Sequence, residues 1–278
     1  MERRVASDVS RTALGVGVLR ALHPLIDKPP LVLDDPISTR LFGVAARARL
    51  DRDFAALMGD ANAHALRGHV LVRSAFAEDR LQQAVARGVR QAVVLGAGFD
   101  TFAYRQPSWM DGVRLFEVDA PVTQADKRTR LRAAGIAEPA NVVYAPVDFE
   151  RTSLRDGLLD AGVDLDAPAF FSWLGVMVYL SREAIDTVFA TIGAMPPSTE
   201  IAFTFSQGRG GDALSDRVAA IGEPLRTFVS VAELEALLRT HGFHEITVLT
   251  VAQSQRYLGS RTDNLSLPPR ESIAAAIV

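Results

Sequence analysis

Residues 93–105 read VVLGAGFDTFAYR. An apolar run breaks into Gly96-Ala97-Gly98, and an acid, a hydroxyl and aromatic residues follow at once. Glycine has no Cβ, so the pair lets the chain turn sharply and lets another group approach bare backbone. Directly after a buried strand this suits the ribose end of a nucleotide, although a simple tight turn would look the same. The dinucleotide fingerprint G-x-G-x-x-G requires a third glycine, and Thr101 stands in its place. That glycine serves close packing where a pyrophosphate sits on a helix N-terminus, so Thr101 argues against NAD or FAD.

Downstream, short apolar runs alternate with helical patterns. QAVVLGAG (91–98), VRLFEVDA (113–120), NVVYAPVDF (141–149), AFFSWLG (169–175) and EIAFTFSQ (200–207) read as strands. TQADKRTRLRAAG (123–135), TSLRDGLLDAG (152–162) and EAIDTVFATIGAM (183–195) read as helices between them. The alternation predicts βαβ units and an α/β fold with a doubly wound, mostly parallel sheet covered on both faces. The Gly-rich, polar stretch 207–224 reads as a mobile excursion. VAELEALLRTHGF then reads as a helix stopped by Gly242, and HEITVLTVAQ as a last strand. Upstream, TALGVGVLRALHPL (12–25), the segment after the PP and DDP punctuation at 29–36, and the long pattern 60–88 closed by Gly88 all lean helical. Residues 1–90 are therefore expected to form a helical cap that serves as a substrate lid, and 91–278 the sheet domain.

Composition narrows the function classes. A net charge of −3 leaves no electrostatic footprint for nucleic acid or an anionic membrane. The absence of cysteine excludes disulfides, Cys-ligated zinc and iron–sulfur clusters, and fits a reducing cytoplasm. MERRVASDVSRTALG lacks the apolar core and cleavage site of a signal peptide. AFFSWLGVMVYL (169–180) is too short to span a bilayer. A cytoplasmic protein acting on a small molecule is expected, with no membrane or nucleic-acid partner; oligomeric state is not indicated. His23, His64, His69, His241 and His244 form no metal-ligand spacing with carboxylates, so no metal is expected.

Open α/β sheets bind ligands beyond the carboxyl ends of their strands. Asp119 closes the strand after the glycine loop, about twenty residues on, where a carboxylate can accept from both ribose hydroxyls. Glu117, on the same side of that strand, either shares the task or caps the sheet. Asp148 closes the next strand, where an acid can accept from an adenine amine while Phe149 meets the base. Each acid alone also reads as an ordinary helix N-cap. Glycines and two acids at three consecutive strand ends suit an adenosine without a diphosphate, S-adenosylmethionine.

VVLGAGFDTFAYR, FEVDAPVTQADKR, YAPVDFE and FFSWLGVMVYL resemble, in order, the motifs of the leucine carboxyl methyltransferase-like group of class I S-adenosylmethionine-dependent methyltransferases. LVLDDPISTRLFG and VRSAFAEDRL fit the same group, and the resemblance spans about residues 10 to 260. It implies a Rossmann-like methyltransferase fold whose last strand is antiparallel. It also implies that Gly96 and Gly98 line the methionine and ribose, that Asp119 holds the ribose and that Asp148 with Phe149 holds the adenine. Arg73 would pair with the cofactor carboxylate, which a planar guanidinium suits. Gln124, Lys127 and Arg128 are expected to shape the sheet–helix junction. The group usually has glutamate where Leu174 follows the tryptophan, and arginine where Phe102 stands; both departures make the pocket more apolar.

The expected activity is O-methylation of a carboxylate or hydroxyl on a small, apolar, secondary-metabolite-like acceptor, releasing S-adenosylhomocysteine. Methyl transfer is an in-line displacement in which the protein aligns the acceptor and strips its water. A carboxylate needs no base, whereas a hydroxyl does. His69, four residues from Arg73 on one helix face, and Tyr179, after the fourth strand, are the candidate catalytic residues. Trp173 is expected beside the cofactor, with Leu174, and Tyr104 and Arg105 on a helix that follows the glycine loop, where each could order substrate. Two other classes stay open. One is a methyltransferase-fold protein that only binds or catalyses a different reaction, motivated by Leu174. The other is an NAD-type oxidoreductase, disfavoured by Thr101 and Asp148.

Overall fold

A computed structural model describes residues 9–147, 153–208, 216, 219–220, 222–269 and 271–278. Seven strands form one sheet in the order β3-β2-β1-β4-β5-β7-β6. They are β1 (Gln91–Leu95), β2 (Arg114–Asp119), β3 (Val142–Pro146), β4 (Phe170–Trp173), β5 (Glu200–Ser206), β6 (Glu245–Val248) and β7 (Glu271–Ile277). β1 to β5 are mutually parallel, while β7 runs antiparallel to both β5 and β6. The strand order reverses between β1 and β4, so the crevice beyond these two strands is where such a sheet takes a ligand.

The helices are α1 (Arg11–Ile26), α2 (Pro36–Gly59), α3 (Ala61–Ala86), α4 (Pro121–Ala133), α5 (Leu154–Asp160), α6 (Arg182–Gly193), α7 (Val231–Thr240) and α8 (Val251–Leu258). Alternate side chains along each strand serve opposite faces. Val93, Leu95, Phe116 and Val118 pack with Leu158, Phe189 and Leu238 on the α5–α6–α7 face. Ala92, Leu115 and Phe170 pack with Leu71, Phe76 and Leu258 on the α3–α8 face. α3, grouped with the cap by its sequence pattern, is thus one layer of the sheet sandwich. α1 and α2 pack on each other and on Phe99, which reaches out of the glycine loop into their core.

Two sequence expectations are corrected. HEITVLTVAQ is not the last strand: β6 ends at Val248, and Thr250 caps α8 in a reciprocal box with Gln253. The last strand is β7, ESIAAAI, inserted between β5 and β6. Its alanines carry little strand propensity, so the pattern was silent. They are nevertheless buried on both faces, Ala274 and Ala276 in one core and Ala275 in the other. The second correction concerns Tyr104 and Arg105, expected on a helix after the glycine loop. The chain there makes only 3-10 turns at Phe102–Tyr104 and Ser108–Met110, and Pro107 and Gly112 interrupt any longer helix. Most of the 207–224 excursion lies outside the described residues.

Candidate active site

At the exit of β1, Gly96 and Gly98 have φ of +65° and +46°. This left-handed backbone favours glycine. A Cβ on Gly96 would come within 2.3 Å of Val176 Cγ2, and one on Gly98 within 3.2 Å of Ala13 Cβ. The bare faces of both glycines are therefore approached by the protein itself, from the loop beyond β4 and from the first turn of α1.

At the exit of β2, Asp119 Oδ2 accepts from the Gly98 amide and Oδ1 from the Ala120 amide, 2.6 Å away. An ionised carboxylate offers about four acceptor positions, so half of its capacity remains. Burial pushes its carboxyl above the usual range, against the two amide hydrogen bonds. Glu117, two residues back, is 1% exposed and takes Lys127 Nζ at 2.7 Å and the Tyr104 hydroxyl at 3.3 Å. Gln124 bonds the Glu117 carbonyl, and Arg128 pairs with Glu138 and lies over Tyr144. Gln124 and Lys127 brace the β2–α4 junction at Glu117, and Arg128 ties α4 to β3 at Tyr144. Asp148 and Phe149 lie outside the described residues.

At the exit of β4, the Trp173 ring is fully buried and meets Phe189 edge-on, 5.6 Å between centroids, on the α6 side of the sheet. Its ring belongs to the aromatic core, and only its backbone faces the strand end. Leu174 turns the other way and, with Phe102, walls a cavity of about 30 Å³ between α3 and the sheet. The polar wall of that cavity comes from Ser74, Glu78, Asp100 and Ser172. The two positions that depart from the group's pattern thus border one space, which is room for a water or two. Gly175 has φ +72°, and a Cβ there would stand 2.8 Å from Arg73 Nη1. Arg73, from α3, therefore lies over the backbone just past β4. One turn earlier, His69 is 2% exposed, and its Nδ1 has no hydrogen-bond partner among the described residues. Burial, helped by the charge of Arg73, depresses its pKa to about 3. Tyr179 is half-buried at the end of the next 3-10 turn.

The first turn of α1 closes over this edge. Glu223, 5% exposed, accepts from the Arg11 and Thr12 amides at 3.0 Å each and from the hydroxyls of Ser10 and Thr12. It is a helix cap supplied from two hundred residues away in sequence, where an acid also complements the helix dipole. Sequence reasoning missed this contact because nothing local marks Glu223. It also missed the buried partners of the glycine loop, Arg20 and Asp35, although DDPIS and FDT were both visible as motifs. Among the described residues, no three His, Asp or Glu side chains group to hold a metal, and no helix is long and apolar enough to cross a membrane.

The sequence model of the family described as "Leucine carboxyl methyltransferase" matches residues 13–193. YktD of Bacillus subtilis (strain 168), assigned as an S-adenosyl-L-methionine-dependent methyltransferase, is 33% identical over 207 residues, 70% of this chain and 68% of its own. A similarly assigned protein of Mycolicibacterium paratuberculosis is 32% identical over 240 residues, 82% of this chain and 74% of its own. The fold is also that of a DUF574 family protein from Streptomyces avermitilis, with a TM-score of 0.56 at 16% identity, covering 99% of both chains. A family match through the glycine loop, the β2 acid and the β4 exit, on a class I sheet, places this chain in the leucine carboxyl methyltransferase family of S-adenosylmethionine-dependent methyltransferases.

Proposed function

We propose that this methyltransferase esterifies a carboxylate on a small, apolar metabolite, with the cofactor held along the carboxyl ends of β1, β2 and β4. The residues present fit that cofactor. Asp119 keeps acceptor capacity for a ribose diol, and Arg73 brings a planar cation over the backbone beyond β4, suited to an amino-acid carboxylate. Asp148 and Phe149 keep the adenine role that the resemblance gives them. When bound, the cofactor supplies a methyl group on a positively charged sulfur.

The observation that carries the carboxylate reading is His69. Its pKa near 3 leaves it neutral and weakly basic across the physiological range. A hydroxyl acceptor needs a base matched to neutral pH, whereas a carboxylate arrives already ionised. The neutral imidazole, with Nδ1 unpartnered, serves better to orient an acceptor by a hydrogen bond. Tyr179 would order the same acceptor with its hydroxyl. Leu174 and Phe102 contribute apolar wall. The setting would be cytoplasmic secondary metabolism.

The test offers the enzyme labelled cofactor and paired acceptors, carboxylic acids and phenols on the same carbon skeletons. Base-labile methyl esters should form, with kcat/KM flat from about pH 5.5 to 8. Stable ethers as the main product, with a neutral pKa in the rate profile that His69→Gln removes, would overturn the carboxylate reading.

A further inference from the structure

We infer that Arg20, Asp35 and Thr101 position the glycine loop, so that the N-terminal helices set cofactor affinity without touching the cofactor. In sheets of this kind the helix after the first strand ordinarily anchors the loop. Here only two short 3-10 turns follow, and the support comes from the other side. Arg20, 3% exposed in the middle of α1, spreads its guanidinium over three acceptors. Nε donates to Asp35 Oδ2 at 2.8 Å, Nη1 to Asp100 Oδ2 at 2.9 Å and Nη2 to Thr101 Oγ1 at 3.0 Å. The Thr101 hydroxyl, itself fully buried, donates to Asp35 Oδ2 at 2.7 Å.

Asp35 is at the same time the N-cap of α2, accepting from the Ser38 amide at 2.9 Å. Asp100 Oδ1 accepts from the Phe102 amide at 2.9 Å, and Arg105 reaches Thr101 Oγ1 at 3.4 Å while pairing with Glu78 of α3. Residues 100 and 101 are thus clamped by α1, α2 and, through Arg105, α3. Every buried charge in the clamp has an opposite partner, the condition under which such a network rigidifies rather than destabilises. Gly98, whose amide holds Asp119, lies two residues before the clamped pair. A loop released at 100–101 would let that amide and the β2 acid drift from their common register. This also explains why threonine, rather than the glycine of the dinucleotide fingerprint, occupies position 101.

The inference rests on the proposed assignment of the glycine loop and Asp119 to the cofactor, and its test separates the two. Thr101→Val keeps the shape and removes the hydroxyl; Arg20→Lys keeps the charge and removes the fork. The comparator is Asp27→Asn. Asp27 pairs with Arg67 and His23 in an equally buried cluster of α1 and α3 that does not reach the loop. Affinity for S-adenosylhomocysteine is measured by calorimetry, with the melting temperature of each ligand-free variant. The two loop variants should bind about tenfold or more weakly, with KM for the cofactor raised and kcat largely kept, while Asp27→Asn melts lower but binds as wild type. Equal affinities in Thr101→Val and Asp27→Asn would overturn the inference and make the network purely structural. If Arg20→Lys does not fold, Thr101→Val decides alone. Asp119→Ala completes the series. Loss of binding there with normal binding in the loop variants sinks only the positioning role, and normal binding in Asp119→Ala sinks the site assignment with it.

Discussion

At the amino end of β5, Glu200 is fully buried and its two carboxylate oxygens are taken by Arg80 of α3 and by Arg87, the residue that caps the end of that helix. At the carboxyl end of β2, Asp119 is held by two backbone amides and keeps unused hydrogen-bonding capacity. Both acids lie at the ends of parallel strands of one mixed sheet, yet one is closed off by cations and the other is left open. A buried acid is therefore not in itself a sign of chemistry. What matters is the end of the strand it occupies and whether opposite charge already saturates it.

Four measurements would break or sharpen that contrast. At neutral pH Glu200→Ala should have the largest effect, about 3 kcal/mol of unfolding free energy, because two arginines lose their partner; the cofactor affinity of the folded protein should not change. Asp119→Ala should do the reverse, weakening cofactor binding about a hundredfold, near 2.7 kcal/mol, with little change in melting temperature. A stability loss in Asp119→Ala as large as in Glu200→Ala would erase the distinction between the two ends.

His69 provides a pH-dependent version. Its folded pKa near 3 lies below the value of 6.5 it has when free of the fold, so between these pH values the unfolded chain binds the extra proton. Stability should thus be complete above about pH 6.5 and fall as pH is lowered toward 3, by up to ~1.4 kcal/mol per pH unit from this group. Denaturant titrations of wild type and His69→Gln at two pH values would isolate the slope. Glu223→Ala should have the smallest effect, about 1 kcal/mol for a lost helix cap. It should nevertheless speed cofactor exchange, because Glu223 secures the turn that lies over Gly98. Unchanged stopped-flow release rates would show that α1 does not gate the crevice.

Much of the fold was legible in the chain. The first five strands announced themselves as short apolar runs, and Gly88 and Gly242 marked helix ends where the structure has φ of +102° and +87°. β7 was not legible, because Ile273 to Ala276 reads as neither strand nor helix until its neighbours on both sides are in place. The site was legible in parts. Asp119 could be placed by its distance from the glycine loop, and the bracing roles of Gln124, Lys127 and Arg128 follow from their position on the first turns of α4. Trp173 looked like a pocket residue because it ends a strand, but strand alternation turned its ring to the α6 face and left the crevice side to Leu174.

The division has a physical basis. Local sequence determined what depends on backbone freedom and periodicity: a tight left-handed turn at Gly96 and Gly98, a parallel sheet, and an acid at the end of β2. Tertiary structure alone decided which charges meet. Arg20 reaches Asp100 across 80 residues and Glu223 reaches Thr12 across 211. Such pairs form only when folding strips water from both partners at once, and no spacing along the chain records that event. The glycine loop was visible from the outset, whereas the clamp that holds it in place exists only in the folded molecule.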